Sequence, residues 1–274
     1  MSITLSNLRF ESVNISALKN LRMSYFYEIK LAQELYLEWE VQKGGQYYKI
    51  LANDHEIIGY FILNKDNVLV EFYLIQDYIV KKEEIFSMIL HEHAIKKVYC
   101  KTFDSILLIC SHVFARSSKV MATIFRDYVS GILMELEGAI RVRVARESDI
   151  NKLLQYEGTG LYETPEDLKY TVSNKMVYLF ERDTNLIGCG YLIRVLSDKN
   201  FYDIGMWVNP EFRQQGYGTM IISHLKKFCF SHGYSPICGC SVENALSRKV
   251  LEKNGFISKY GILEFEVSYH QFHV

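Results

Sequence analysis

The chain has no surplus of charge of either sign, with 31 Lys and Arg against 32 Asp and Glu in 274 residues. Residues 1–138 carry 15 basic against 17 acidic side chains (−2), and residues 139–274 carry 16 against 15 (+1), which sum to the −1 of the whole. Neither half has the basic stripe that binding to a nucleic-acid backbone needs, so no nucleic-acid partner is expected. Long apolar runs are also missing. Each is broken by charge well before the ~18 residues of a membrane span, so no membrane partner is expected. Met1–Ser6 lacks the basic and long apolar regions of a signal peptide. The six cysteines, at 100, 110, 189, 229, 238 and 240, do not form the framework of a small secreted domain. Cys238 and Cys240 lie i, i+2 on one predicted strand, facing the same side, and are too few for a zinc site. His91 and His93 fall on different faces of a predicted helix, and His270 and His273 on a terminal tail. No metal is expected, and a reduced, cytoplasmic protein is the default.

The length suits two ordinary domains, and 49% apolar with 23% charged residues is a globular composition. The most informative stretch is Trp207-Val208-Asn209-Pro210-Glu211-Phe212-Arg213-Gln214-Gln215-Gly216-Tyr217-Gly218-Thr219. An apolar strand ends, Pro210 and Arg213 turn the chain, and two glycines open a helix. Glycines let the backbone approach an anion closely, and a helix start aims free N–H groups and a positive dipole end at it. The whole reads as a pyrophosphate cradle. Downstream, Ser235–Val242 reads as a strand, followed by Glu243-Asn244-Ala245-Leu246-Ser247-Arg248 and a closing Lys253-Asn254-Gly255-Phe256.

Arg213-x-x-Gly216-x-Gly218 and the Asn244-to-Phe256 segment together resemble the acyl-coenzyme A loop and second signature of the GCN5-related N-acetyltransferases (GNAT). The resemblance covers residues 140 to 267. It implies an α/β (α+β) fold of two GNAT-like domains, each a mixed, mostly antiparallel central sheet flanked by helices. The expected division is residues 1–138 as a degenerate copy and 139–274 as the acetyltransferase domain. In the second half, Ala139–Ala145 reads as a strand, Ser148 as the cap of a helix, and Thr164-Pro165 as a further helix start. Met176–Glu181 and Leu186–Val195 form a hairpin, and Phe201–Val208 leads into the cradle. The helix from Tyr217 carries a core-facing stripe, and Ile262–Val267 closes the sheet of this half.

The first half repeats that order. Tyr47–Leu51 and Ile57–Phe61 form a hairpin in which Asp54 and Gly59 match Asp183 and Gly188 at a common offset. Val68–Ile75 matches Phe201–Val208, Ile85–Ile95 and Asp104–Phe114 read as helices, and Lys97–Cys100 as a strand. A tandem duplication is favoured over chance similarity of hairpins. After Ile75, however, Gln76–Lys82 contains no glycine. The first copy has lost its cradle and is expected to be structural.

The resemblance implies acetyl-CoA as acyl donor, held by the backbone of Met206, Trp207 and Val208 along the pantetheine arm. It places Arg213, Gln214, Gln215, Gly216, Tyr217, Gly218 and Thr219 around the pyrophosphate, and Asn244 and Ser247 beside the arm. A strand amide would polarise the thioester. The acceptor amine needs a base, and Asp203 is the candidate, the alternative being an Asp on the solvent side of the sheet. Tyr156, Glu157, Tyr162 and Glu163 lie in the segment that lines acceptor sites in relatives, and either Glu is an alternative base. Where many relatives carry a Tyr that protonates the thiolate, this chain has Leu251. Ser247, Tyr260 or water are the candidate acids, or the thiolate leaves unaided. The expected function is N-acetyl transfer to an amine of a small molecule or peptide. A non-catalytic acyl-CoA-binding module and an aminoacyl-tRNA-dependent transferase are the alternatives.

Overall fold

A computed structural model describes residues 8–53, 55–129, 131 and 139–268. The chain forms two compact units, Met1–Thr123 with Tyr260–Val274, and Ile124–Lys259. These do not follow the division at 138/139. In chain order the first unit holds β1 (Arg9–Val13), α1 (Lys19–Ile29), α2 (Leu35–Gln42), β2 (Gln46–Ala52), β3 (Glu56–Leu63) and β4 (Leu69–Leu74). It continues with α3 (Lys82–Glu92), β5 (Lys97–Lys101), α4 (Ser105–Phe114) and β6 (Ala115–Phe125), whose last two residues belong to the second unit. The second unit holds β7 (Asp127–Tyr128), β8 (Arg141–Val144), α5 (Ile150–Leu154), α6 (Pro165–Ser173), β9 (Val177–Arg182) and β10 (Asn185–Arg194). Then follow β11 (Phe201–Val208), α7 (Tyr217–Ser231), β12 (Ser235–Ser241), α8 (Ala245–Lys253) and β13 (Phe256–Ile257). The last strand, β14 (Tyr260–Val267), returns to the first unit.

That return corrects the expectation that Ile262–Val267 closes the sheet of the C-terminal half. β14 pairs antiparallel with β5, from Ile262↔Lys101 to Glu266↔Lys97, and Phe265 and Val267 enter the core of the first unit. Each such side chain is worth about 1.5–3 kcal/mol on burial. Conversely, Phe125 at the end of β6 belongs to a core cluster of the second unit, with Phe180, Ile221 and Leu225. Residues 132–138, next to the expected boundary, and Asp54, His270 and His273 lie outside the described residues.

The two units share a construction. In each, the strand before the cradle position pairs antiparallel on one side and parallel on the other. β3–β4 corresponds to β10–β11, and β4–β5 to β11–β12. The matched glycines have the same physical reason. A Cβ on Gly59 would lie 2.1 Å from the Tyr73 carbonyl oxygen, and one on Gly188 would lie 2.4 Å from that of Trp207. No side chain fits either place.

In the first unit the parallel pairing of β4 with β5 is confined to Leu69↔Val98. Beyond it, buried side chains connect the strands. Glu71 on β4 accepts from Arg22 Nε at 3.0 Å and Nη2 at 2.7 Å, from Tyr60 at 2.9 Å and from Gln33 Nε2 at 2.8 Å. Gln33 Oε1 in turn accepts from Lys101 Nζ of β5 at 2.8 Å. Lys101 also donates to Tyr25 at 2.7 Å, and the Tyr25 hydroxyl donates to Asp104 at 2.5 Å. Arg22 holds Glu38 as well, at 2.7 Å. Such a network is expensive to bury and costly to break, because one deletion leaves a charge unpaired.

Burial alone would raise the Glu71 carboxyl, but Arg22, Lys101 and Tyr60 hold it below its ordinary value. Its folded pKa is therefore depressed, so its contribution is present above the ordinary carboxylate range and lost as pH falls through the folded value. Glu71→Gln is expected to destabilise the first unit by about 3 kcal/mol near neutral pH. In urea unfolding the gap between wild type and variant should shrink as the pH is lowered below the ordinary glutamate range. A gap independent of pH would contradict this account.

Candidate active site

The site is built on β11 of the second unit. β11 pairs with β10 along its whole length, from Arg194↔Tyr202 to Gly188↔Val208. Its parallel pairing with β12 runs only from Phe201↔Ser235 to Asp203↔Ile237. From Ile204 onward the two strands part. Strand residues alternate the edge to which their N–H and C=O point. The Asn209 N–H donates to Ile187 O of β10 at 3.0 Å, and the Val195 N–H donates to Phe201 O at 3.2 Å. Odd-numbered residues of β11 therefore face β10, and Met206 and Val208 present their backbone to the parted edge. The Val208 carbonyl there accepts from Arg213 Nε at 3.1 Å.

The side chains of β11 alternate as well. Ile204, Met206 and Val208 pack with α7 residues Tyr217, Met220 and Ile221. Trp207 belongs to the opposite cluster, with Leu153 of α5, Leu168 and Val172 of α6 and Cys189 of β10. Asp203 shares the parity of Gly205 and Trp207, so it lies on the α5–α6 face, half-buried. Gly205 stands between them. A Cβ there would meet Tyr191 at 3.7 Å, an ordinary contact, and its φ is not positive. Neither sterics nor backbone requires a glycine at 205. Its effect is that no side chain stands between Asp203 and Trp207 on that face, next to Tyr191.

At the end of β11, Asn209 caps a short 3₁₀ turn (Pro210–Phe212) and is itself buried, with Oδ1 accepting the Glu211 N–H and Nδ2 donating to Leu186 O. The chain then rises through Gln214 at φ 62° and Gly216 at φ 88° into α7. Arg213, Gln214, Gln215 and Gly216 are exposed, while Tyr217 and Thr219 are buried beneath them. A Cβ on Gly216 would meet nothing within 4 Å. Its left-handed backbone, rather than crowding, makes it glycine, and the space over it is open. Gly218 differs, since its Cβ would make ordinary contacts of 3.6 Å with Val208 and Val250. Residues 214–216 and the first N–H groups of α7 thus form an exposed turn ahead of a helix start, where backbone N–H groups of the kind that hold phosphate are presented.

Arg213 does not aim at those groups. Its Nε is on Val208 O, and its Nη2 donates to Thr159 O at 2.9 Å. Thr159 O also accepts from Trp207 Nε1 at 3.3 Å. Nearby, Tyr156 packs edge-on to Trp207, with ring centres 5.0 Å apart. Its hydroxyl accepts from Asn209 Nδ2 at 3.5 Å. Tyr162 donates to Leu154 O at 2.9 Å, and Tyr191 donates to Leu161 O. Tyr156, Tyr162 and Trp207 are thus brought together at the α5–α6 segment, whereas Glu157 and Glu163 are exposed. Burial pushes the Tyr191 hydroxyl above its ordinary value, as burial and Glu211 do for Tyr156.

Asn244 accepts the Ser247 N–H at 3.0 Å through Oδ1 and so caps α8. Leu251 is buried in the cluster beneath α7. Tyr260 begins β14 and packs edge-on against Phe103 in the first unit. Ser148 is not the cap expected; Arg146 holds that place, and its N–H donates to Asp149 Oδ2 at 2.8 Å. Asn209, Thr159, Tyr191 and Gly205 escaped the sequence reading. Asn209-Pro210 and Gly158-x-Gly160 were turn signals for the first two, but nothing local ties residue 159 to residue 213.

The description "Acetyltransferase (GNAT) domain" matches residues 14–128, and "Acetyltransferase (GNAT) family" matches residues 148–256. The chain belongs to the GNAT superfamily and carries two such domains in tandem. A GNAT-family acetyltransferase from Colwellia psychrerythraea shares its fold with a TM-score of 0.84 at 17% identity, over 95% of this chain and all of that one. A tandem GNAT protein from the clavulanic acid biosynthesis pathway gives 0.61 at 8% identity, over 97% of this chain and 100% of its own. A GCN5-related N-acetyltransferase from Sphaerobacter thermophilus gives 0.61 at 13%, over 96% and 97%. No curated protein matches in sequence.

The two cradle glycines should separate in a stability assay. Gly216→Ala forces a Cβ into a left-handed position and is expected to cost about 1–2 kcal/mol. Gly218→Ala, inside a helix with ordinary contacts, should be neutral or stabilising by up to about 1 kcal/mol. Equal losses in urea unfolding would contradict the roles assigned to them.

Proposed function

We propose that the chain is an acetyl-CoA-dependent N-acetyltransferase whose second domain transfers an acetyl group to a primary amine of a small molecule or peptide. Attack is direct, with donor and acceptor bound together. The observation that carries this reading is the parting of β11 from β12 after Asp203, with the Gly216 turn and the start of α7 at its end. The donor brings an acetyl group already activated as a thioester. Residues 214–216 and the first turn of α7 would hold its pyrophosphate. The free backbone of Met206 and the Nδ2 of Asn244 would hold the arm. A β11 amide on the parted edge would stabilise negative charge on the thioester oxygen. On the α5–α6 face, Asp203 would take the proton of the ammonium or of the attacking amine. Tyr156, Tyr162 and Tyr191 line the acceptor's approach.

The first domain, with a 3₁₀ turn (Gln76–Lys81) in place of the cradle and its parted strands bridged by the Glu71–Lys101 network, binds no donor in this reading. One observation favours the non-catalytic alternative. Leu251 is in the core where relatives are expected to offer an acidic hydroxyl. Binding without thiol release for any amine in a broad panel would select that alternative.

Isothermal titration with acetyl-CoA should give one site per chain. Two sites would restore a donor site to the first domain, and none would remove the donor assignment. Asp203→Asn should lower kcat/KM roughly 10²- to 10⁴-fold for an accepted amine and flatten the acidic limb of the pH profile. An unchanged rate and profile would show that Asp203 is not the base.

A further inference from the structure

Thr159 O lies in the segment that carries Tyr156 and Tyr162, yet both side-chain donors on it come from elsewhere. One is Trp207 of β11 and the other is Arg213 of the cradle turn. The segment around it has little regular structure of its own. It lies between α5 and α6, with Gly158 at φ 73° and Gly160 at φ 86°, and a Cβ on either would meet nothing within 4 Å. It is held by the carbonyls of Thr159 and Leu161, the latter taken by Tyr191, by the packing of Tyr156 on Trp207, by Tyr162 donating to Leu154 O and by the buried Leu161 side chain. Of these, the bond to Thr159 O is the one made from the cradle turn. Arg213 also grips Val208 O, on the edge where the strands part. One planar guanidinium therefore joins the parted edge, the cradle turn and the acceptor-side segment. Its fork suits two carbonyls in a way a lysine's point charge does not.

We propose that Arg213 is a positioning residue that couples the donor cradle to the acceptor-side segment 156–163: a ligand held by the Gly216 turn orders that segment through Thr159 O. This rests on reading the Gly216 turn as the donor site. The turn contains Arg213, so a pyrophosphate that fixes residues 214–216 also fixes the base of the Arg213 side chain. Fixing it strengthens the hold on Thr159, and by linkage an ordered segment favours the bound turn in the same measure.

The test is hydrogen exchange of residues 156–163, read by mass spectrometry in the whole protein with and without acetyl-CoA at saturation. In wild type, acetyl-CoA should slow exchange of this segment several-fold. In Arg213→Gln, exchange without ligand should be roughly three- to tenfold faster than in wild type, as for loss of one hydrogen bond. The ligand-induced slowing should also be lost once acetyl-CoA saturates the variant. Arg213→Lys should not restore it. In a Trp39→Phe background, any shift of Trp207 emission on adding acetyl-CoA should be lost in Arg213→Gln as well.

If the saturated Gln or Lys variant is slowed as wild type is, or if saturated wild type is not slowed at all, the coupling is overturned. If wild type binds no acetyl-CoA, the donor reading fails separately, and the ligand-free comparison still tests the strut. Equal exchange in wild type and Arg213→Gln without ligand would overturn it.

Discussion

A parallel strand pair that parts leaves backbone donors and acceptors on both inner edges, and buried groups of this kind must be satisfied by something. Each unit has one such pair among the described residues, β4–β5 and β11–β12, and what stands at the gap differs between them. In the first, side chains bridge the strands beyond their ladder, with Gln33 linking Glu71 to Lys101 and Tyr25 linking Lys101 to Asp104. In the second, Val208 O is taken by Arg213, and the backbone of Met206 faces the parted edge. Under the proposed function, a strand edge of this kind, ending at a left-handed glycine and a helix start, would take an extended ligand with an anionic end.

The same backbone framework therefore serves two ends. Gly59 and Gly188 sit under equally close carbonyls, so the hairpin geometry is held in common. What differs is the ten or so residues after each fourth strand. Asn209 buries its amide to set a turn that rises through Gln214 and Gly216, whereas Gln76–Lys81 coils into a 3₁₀ turn with Tyr78 buried. Asp104 and Asn244 cap corresponding helices by the same bond. Yet Asp104 is buried with Tyr25 and Lys101, while Asn244 is exposed. Replacing the turn and filling the acceptor-side face belong together, because an opening without a ligand would leave cavity and unpaired polar groups behind.

Much of this was legible because it is local. The hairpins, β11, α7 and its stripe, the Thr164-Pro165 start and the Gly216 turn all depend on residues within a few positions of one another. What escaped depends on partners far apart in sequence. Nothing near Ile262–Val267 says that it pairs with β5 rather than with a strand of its own half. Arg22 and Glu71 are 49 positions apart, and Arg213 and Thr159 are 54 apart. The Arg213 case shows what spacing leaves open: its Nε donates to Val208 O and its Nη2 to Thr159 O, contacts that no local pattern announces. The spacing identifies the turn, but a guanidinium in a turn has carbonyls as well as phosphates within reach, and only the fold decides between them. Ser148 is a smaller instance. Asp149 reaches back to the Arg146 N–H, so the helix start is set from inside the first turn.

The burial of Leu251 bears on how the reaction could end. The residue packs with the α7 stripe, so no change of rotamer brings a proton donor to that place. A thiolate leaving group needs less help than an alkoxide or an amide nitrogen, since a thiol's ordinary pKa of about 8.5 is within two units of neutrality. An unassisted departure then costs on the order of 2 kcal/mol relative to protonation at pH 7. The greater demand falls on the amine, whose ordinary pKa near 10 keeps it protonated. A site of this form can dispense with an acid more readily than with a base. In the proposed reaction the weight of the chemistry would then fall on the α5–α6 face of β11, where Asp203 stands, and on whatever holds segment 156–163 in place.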